Sequence, residues 1–239
     1  MPSSKAAQLM ATTLTGVDEH TDLDTLIALS RQFPFVEWGV LYSPNRAGQG
    51  GRYPAVPAAL EILRVLQEAN VATAVHLCGA GVPGAIDGSD ANALALAALA
   101  GRVQLNFNQT RQPLDLEALD DFIDRWGKPT ITQFNQANAQ VHLGLSVAAS
   151  LFHQVLFDAS GGRGSKPDEW PTPLPGIPCG FAGGLGPANV RSELERIHAA
   201  AQGHRFWIDM ETSLRNPQDA FDLGLCEQVL RSVDAWRRG

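Results

Sequence analysis

The side chains best suited to chemistry in this chain stand at the ends of short apolar runs. Val155-Leu156-Phe157-Asp158 ends in an acid and passes into Ala159-Ser160-Gly161-Gly162-Arg163-Gly164, with Trp170 downstream. A carboxylate at a strand end with a glycine-rich loop behind it belongs to an open mouth, since such a loop serves no obvious packing purpose. In Phe181-Ala182-Gly183-Gly184-Leu185-Gly186-Pro187 paired glycines precede a helix, an arrangement that bares backbone N–H groups to an anion. Asp209 and Glu211 alternate in Trp207-Ile208-Asp209-Met210-Glu211-Thr212-Ser213, so both project to one side of a strand.

Further polar residues fall at strand ends: His76 and Cys78, Asn106 and Asn108, Gln133 and Asn135. Each could equally close hydrogen bonds at a rim without touching a ligand. Asp158, Asp209, Glu211 and His76 together would suit a divalent ion, but no spacing demands one, and no metal is expected. Gly79-Ala80-Gly81-Val82-Pro83-Gly84 satisfies the G-x-G-x-x-G pattern after a strand. A dinucleotide site would need it in the first βα unit and an acid at the end of the next strand. Here it lies in the third unit, and that strand ends Asn106-Phe107-Asn108. A flexible loop is the expectation, and no cofactor.

The elements that must position these groups follow from periodicity. Strand-like runs begin near Met10, Val36, Val71, Val103, Thr130, Gln154, Cys179 and Arg205, about 24 to 35 residues apart, the length of one strand-loop-helix-loop unit. Amphipathic helices are expected between them. Thr21 is the expected N-cap of the first, and Asp115 and Gly127 the ends of another. Pro187 is expected in the first turn of a helix running to Gly203, and a last helix over about Asp219 to Trp236. Eight such units predict one (β/α)8 barrel spanning 1–239 as a single domain, with an open doubly wound sheet as the competitor. In a barrel, the Gly/Pro-rich stretches Ser43–Pro57 and Ser160–Pro178 become long loops at the functional face.

Composition bounds the partners. Of 239 residues 44% are hydrophobic and 18% charged, enough for a large buried core. The net charge of −7 argues against a nucleic-acid partner, which normally meets a basic face. The three cysteines are far apart and form neither a disulfide framework nor a zinc spacing. No apolar run reaches bilayer length. The expectation is a soluble cytoplasmic protein with a small-molecule ligand and no membrane or nucleic-acid partner; nothing in the sequence fixes an oligomeric state.

In order along nearly the whole chain, the motifs resemble the phosphoribosylanthranilate isomerases of tryptophan biosynthesis. Thr13-Leu14-Thr15-Gly16-Val17 is similar to that family's Lys-Ile-Cys-Gly-Ile, Ser43-Pro44-Asn45-Arg46 to its Ser-Pro-Arg, and Val103-Gln104-Leu105-Asn106 to its Val-Gln-Leu-His. Leu156-Phe157-Asp158 with Gly161-Gly162-Arg163-Gly164 resembles its Leu-Leu-Asp and Gly-Gly-Thr-Gly; Ala182-Gly183-Gly184-Leu185 matches outright. Trp207-Ile208-Asp209-Met210-Glu211-Thr212-Ser213 is similar to its Gly-Val-Asp-Val-Ser-Ser-Gly. The resemblance implies a cofactor-free Amadori rearrangement of a sugar-phosphate amine, an aldose–ketose isomerase reaction. It implies Asp158 as general acid, a phosphate site at Gly162, Gly183, Gly184, Thr212 and Ser213, and substrate contacts from Arg46, Asn106 and Asp209.

Two positions depart from the family. Thr15 stands where the resemblance puts a cysteine base, and a threonine hydroxyl does not ionise near neutral pH as a tuned thiol can. Glu211 stands where the family's serine turn meets phosphate, and a carboxylate there would repel the anion by about 4 kcal/mol at ~4 Å and an effective dielectric of ~20. In a closed barrel the eighth strand neighbours the first, so Glu211 is the expected replacement base above Thr15, with His76 in reserve. The alternative is a diverged barrel that binds a different small polar ligand, without isomerising it or with a metal's help.

Overall fold

The computed structural model describes residues 5–146, 149, 151–158 and 164–239. Strands β1 (Leu9–Thr15), β2 (Val36–Tyr42), β3 (Thr73–Cys78), β4 (Arg102–Asn106), β5 (Thr130–Phe134), β6 (His153–Phe157), β7 (Cys179–Ala182) and β8 (Phe206–Met210) pair in that order, all parallel. β8 closes onto β1, with Thr12 opposite Ile208 and Thr13 opposite Asp209. Closure leaves no unpaired edge, which rules out the open sheet. The chain is a (β/α)8 barrel.

Aspartate caps start several wall helices because a short carboxylate can accept the orphan N–H groups of a first turn. Asp115 does so for Leu116–Trp126, and Gly127, at φ 62°, ends that helix in the left-handed region. Asp22, rather than the expected Thr21, caps Leu23–Gln32, its Oδ1 accepting from the amides of Asp24 and Thr25 at 3.1 and 3.4 Å. The last helix begins at Leu223 under Asp222, not at Asp219, because Asp219 holds a left-handed φ of 56°. Pro187 lies in the turn before its helix, which spans Val190–Ala201, since Asn189 Oδ1 accepts from the Gly186 amide at 2.9 Å and folds that turn.

Around β6 the described residues include little helix. A 3-10 turn, Val141–Gly144, is the longest helical element described between β5 and β6, and none is described between β6 and β7. There the loop is pinned instead: Trp170 packs edge-on against Phe181, its Nε1 donates to Glu193 at 2.9 Å, and Lys166 donates to the same carboxylate at 3.0 Å. Among the described residues no helix is long and apolar enough to cross a membrane.

The lower part of the barrel's lumen is polar. Arg102 on β4 donates to both oxygens of Glu37 on β2, at 2.7 and 2.6 Å, and to Gln154 at 2.9 Å and Thr13 at 3.2 Å, while its guanidinium lies over Trp207. Burial alone would raise the Glu37 carboxyl, but the Arg102 charge and bonds, with the Thr13 hydroxyl, hold it below its ordinary value. Two glycines make this interior possible: a Cβ on Gly39 would overlap Thr15, and one on Gly180 would overlap the Trp207 ring.

Candidate functional site

Above the Glu37–Arg102 pair, toward the carboxyl ends of the strands, a cavity of about 310 Å³ opens. Its walls include Thr15, His76, Asn106, Asp158, Gly183, Gly184, Asp209, Glu211, Thr212 and Ser213, ten positions singled out from the sequence. Active sites of this fold lie at that face. Arg46 is not among the lining residues. It sits on the exposed loop after β2, over the Tyr53 ring, and borders a separate shallow cleft with Arg52 and Asp219. Gly162 lies outside the described residues.

The expected partnership between Thr15 and Glu211 is replaced by another. Thr15 Oγ1 donates to Asp209 Oδ1 at 2.9 Å, both groups being buried. Glu211 turns to Arg52, which donates to it at 2.8 Å and also reaches Thr212 at 3.2 Å and Asp219 at 3.3 Å. The reason lies in the backbone. Glu211 follows the last residue of β8, at φ −136° and ψ −68°, and opens the 3-10 turn Thr212–Leu214, so the strand alternation that paired it with Asp209 no longer applies. Its side chain is about 31% exposed, as is that of Arg52, and the pair bridges the loops after β2 and β8.

Asp209 carries the largest electrostatic perturbation of the cavity carboxylates. Burial pushes its pKa up to about 7; the negative charges of Glu37 and Asp158 add to the rise, and the Thr15 hydroxyl and Arg102 oppose it. A carboxyl that exchanges its proton near neutral pH can serve in general acid–base chemistry. Asp158, also buried, accepts from Gln133 Nε2 at 3.3 Å, among other interactions. Cys78 offers no substitute thiolate, because burial pushes it up to about 11.

His76 lies in a polar chain that sequence reasoning did not find. Gln104 Nε2 stands 3.2 Å from His76 Nδ1 and donates to Asn106 Oδ1 at 3.0 Å, and Asn106 Nδ2 donates to Cys78 Sγ at 3.4 Å. Burial drops the His76 pKa to about 4, against the pull of Glu211 and Glu37, so the ring is neutral at ordinary pH. The signal for Gln104 was available: it lies two residues before Asn106 on one strand and so shares its face. Gln133, singled out at the end of β5, also lines the cavity, whereas nothing in the sequence distinguished Arg52.

The glycine pair is shaped by close packing. Gly183 and Gly184 hold φ of 121° and 61°; a Cβ on the first would collide with the Ser165 carbonyl, and on the second with the Lys166 backbone. Neither amide donates to another described residue. Among the described residues, no group of three His, Cys, Asp or Glu side chains is disposed to hold a metal ion, so Asp158, Asp209, Glu211 and His76 do not assemble the divalent site considered above.

No protein-family model matches the chain, and no curated protein matches it in sequence. Solved structures do. The phosphoribosyl anthranilate isomerase from Thermus thermophilus superposes with a TM-score of 0.60 at 17% identity, covering 95% of this chain and 99% of that one. A phosphoribosyl anthranilate isomerase in complex with reduced 1-(o-carboxyphenylamino)-1-deoxyribulose 5-phosphate gives 0.55 at 17% identity, over 95% and 100%. A phospho-2-dehydro-3-deoxyheptonate aldolase from Thermotoga maritima gives 0.58 at 14%, over 94% and 68%. At these identities the likeness establishes the fold, and the aldolase illustrates that one barrel carries several chemistries.

Proposed function

We propose that this chain is a phosphoribosylanthranilate isomerase-like enzyme, a ketol-type isomerase of a sugar-phosphate amine. The observation that carries the reading is a pair of buried carboxylates, Asp158 and Asp209, on the wall of one cavity that also includes Gly183 and Gly184. The glycine amides, with Thr212 and Ser213, receive the phosphate. The solved neighbour with a phosphorylated analogue supports a ligand of that class.

Two proton transfers make the reaction. Asp158 gives its proton to the furanose ring oxygen, the C1–O bond breaks, and its electrons stay on oxygen, leaving an iminium at C1. The base takes the C2 proton, and the C2–H electrons form the C1–C2 double bond of an enolamine. The base returns its proton to C1, the C2 hydroxyl proton passes to Asp158, and a ketone remains. No external oxidant or reductant enters. We assign the base to Asp209, because a base is most effective when its proton affinity lies near the working pH and Thr15 already fixes its orientation.

The test is complementation of a tryptophan auxotroph that lacks the isomerase, together with calorimetric titration of the reduced deoxyribulose 5-phosphate analogue. Growth and binding support the reading. Binding without growth or turnover favours the second reading, a diverged barrel that holds a phosphorylated ligand without isomerising it, which Thr15 in the cysteine position supports. Absence of both outcomes overturns it.

A further inference from the structure

The His76 ring is more than 95% buried, lines the cavity, and has Nε2 without a hydrogen-bond partner among the described residues. An unsatisfied buried N–H is costly, and its persistence at a cavity wall points to a partner that arrives with the ligand. We propose that His76 is a fixed neutral hydrogen-bond donor, its Nε2–H held ready for an oxygen of the ligand, with Gln104 as the residue that positions it. On the reading above, that oxygen is the one on C2, where negative charge develops as its hydroxyl proton passes to Asp158 and the ketone forms.

The tautomer follows from donor counting. Gln104 presents its NH₂ to His76 Nδ1, and the same group also donates to Asn106 Oδ1. A ring nitrogen that receives an N–H must present a lone pair, so the ring proton sits on Nε2. The orientation of the Gln104 amide is in turn fixed, because Asn106 commits its own NH₂ to Cys78 and leaves only Oδ1 facing Gln104. The charged groups that reach the ring are Glu37 from β2, Arg102 from β4 and Glu211 beyond β8. The two acids favour a proton and the arginine opposes it; burial prevails, so the ring remains a neutral donor. A neutral imidazole stabilises a developing oxyanion while keeping its own proton, unlike the reserve base that the sequence suggested at His76.

Proton–nitrogen NMR of the histidine rings in the intact protein tests this directly, with His76→Gln identifying the signal. The expected spectrum shows Nε2–H and an unprotonated Nδ1 from about pH 5.5 to 8.5. Adding ribulose 5-phosphate is expected to shift the Nε2–H resonance. A proton on Nδ1, a titration within that range, or a resonance unmoved by ribulose 5-phosphate at any attainable concentration overturns the proposal. In Gln104→Glu the carboxylate would accept from Nδ1, and the ring proton is expected to move there. For turnover, His76→Phe is expected to lower kcat by about 10²–10³-fold with KM nearly unchanged, and His76→Gln, which keeps an N–H, to recover part of the loss. Failure of the isomerase reading appears separately, as a wild-type protein without turnover whose His76 spectrum is still the expected one.

Discussion

Two polar layers share the lumen of this barrel and differ in how their needs are met. In the lower one, Glu37 and Arg102 neutralise each other, and Thr13 and Gln154 take up further bonds. In the upper one, among the described residues, Asp209 has a single hydroxyl donor and a pKa pushed up to about 7, and His76 has an N–H with no partner. Satisfied polar burial is what a stable interior requires, and strained polar burial next to a cavity is how sites for proton transfer are built. The lower layer also acts on the upper: Glu37 helps raise Asp209 while Arg102 restrains it.

The comparison breaks first on activity. Asp158→Asn and Asp209→Asn are each expected to lower turnover by about 10²–10⁴-fold while circular dichroism shows an intact fold. Ring opening precedes loss of the C2 proton, so Asp209→Asn should still open the ring of a bound substrate without proton exchange at C2, whereas Asp158→Asn should do neither. Loss of ring opening in both would remove the division of roles.

Stability probes the lower layer. Glu37→Gln or Arg102→Met alone leaves a buried partner uncompensated, and urea unfolding is expected to show a loss of about 3–5 kcal/mol. The double change Glu37→Leu with Arg102→Met is expected to recover much of that loss, since paired removal leaves no stranded charge. If the single changes are as mild as the double one, the lower layer is not the neutralised pair described here.

The upper layer should respond in the opposite sense. Asp209 binds its proton more tightly in the folded chain than in the unfolded one, with a pKa of about 7 against 3.8. Stability is therefore complete below the unfolded value and falls as pH rises toward the folded one. Asp209→Asn escapes that cost, so above pH 7 it is expected to be more stable than wild type by up to about 4 kcal/mol, the difference vanishing near pH 4. Thermal unfolding across that range checks it. The smallest effect belongs to Arg52→Ala. Its carboxylate partners are partly exposed, so the cost in stability should stay within about 1 kcal/mol and shrink with added salt.

Much of this architecture was legible in the sequence. Strand spacing gave the barrel because each β-branched run had to be covered by one helical crossover, and the Asp115 and Gly127 helix ends are local chemistry that a sequence displays openly. Asp158 was legible as a cavity residue because an acid at a strand end is out of place for packing, and Gly183 and Gly184 because paired glycines between a strand and a helix mark a tight turn. Glu211 was misread because strand alternation was carried one residue past the end of β8, into a turn that obeys different geometry. Arg52 could not be foreseen, since its loop meets the loop after β8 only in space, 159 residues away in the chain. The pinning of the loop after β6 by Trp170 and Lys166 was hidden because such contacts have no periodic signature.

The protonation of Asp209 is what separates the two layers most sharply. Carbon-detected NMR of the side-chain carboxyls, with Asp209→Asn assigning the resonance, follows that group directly. The expected titration has a midpoint of about 7. A midpoint in the ordinary carboxylate range, about 4, would contradict the account: Asp209 would then be a second satisfied acid, and the upper layer no different in kind from the lower.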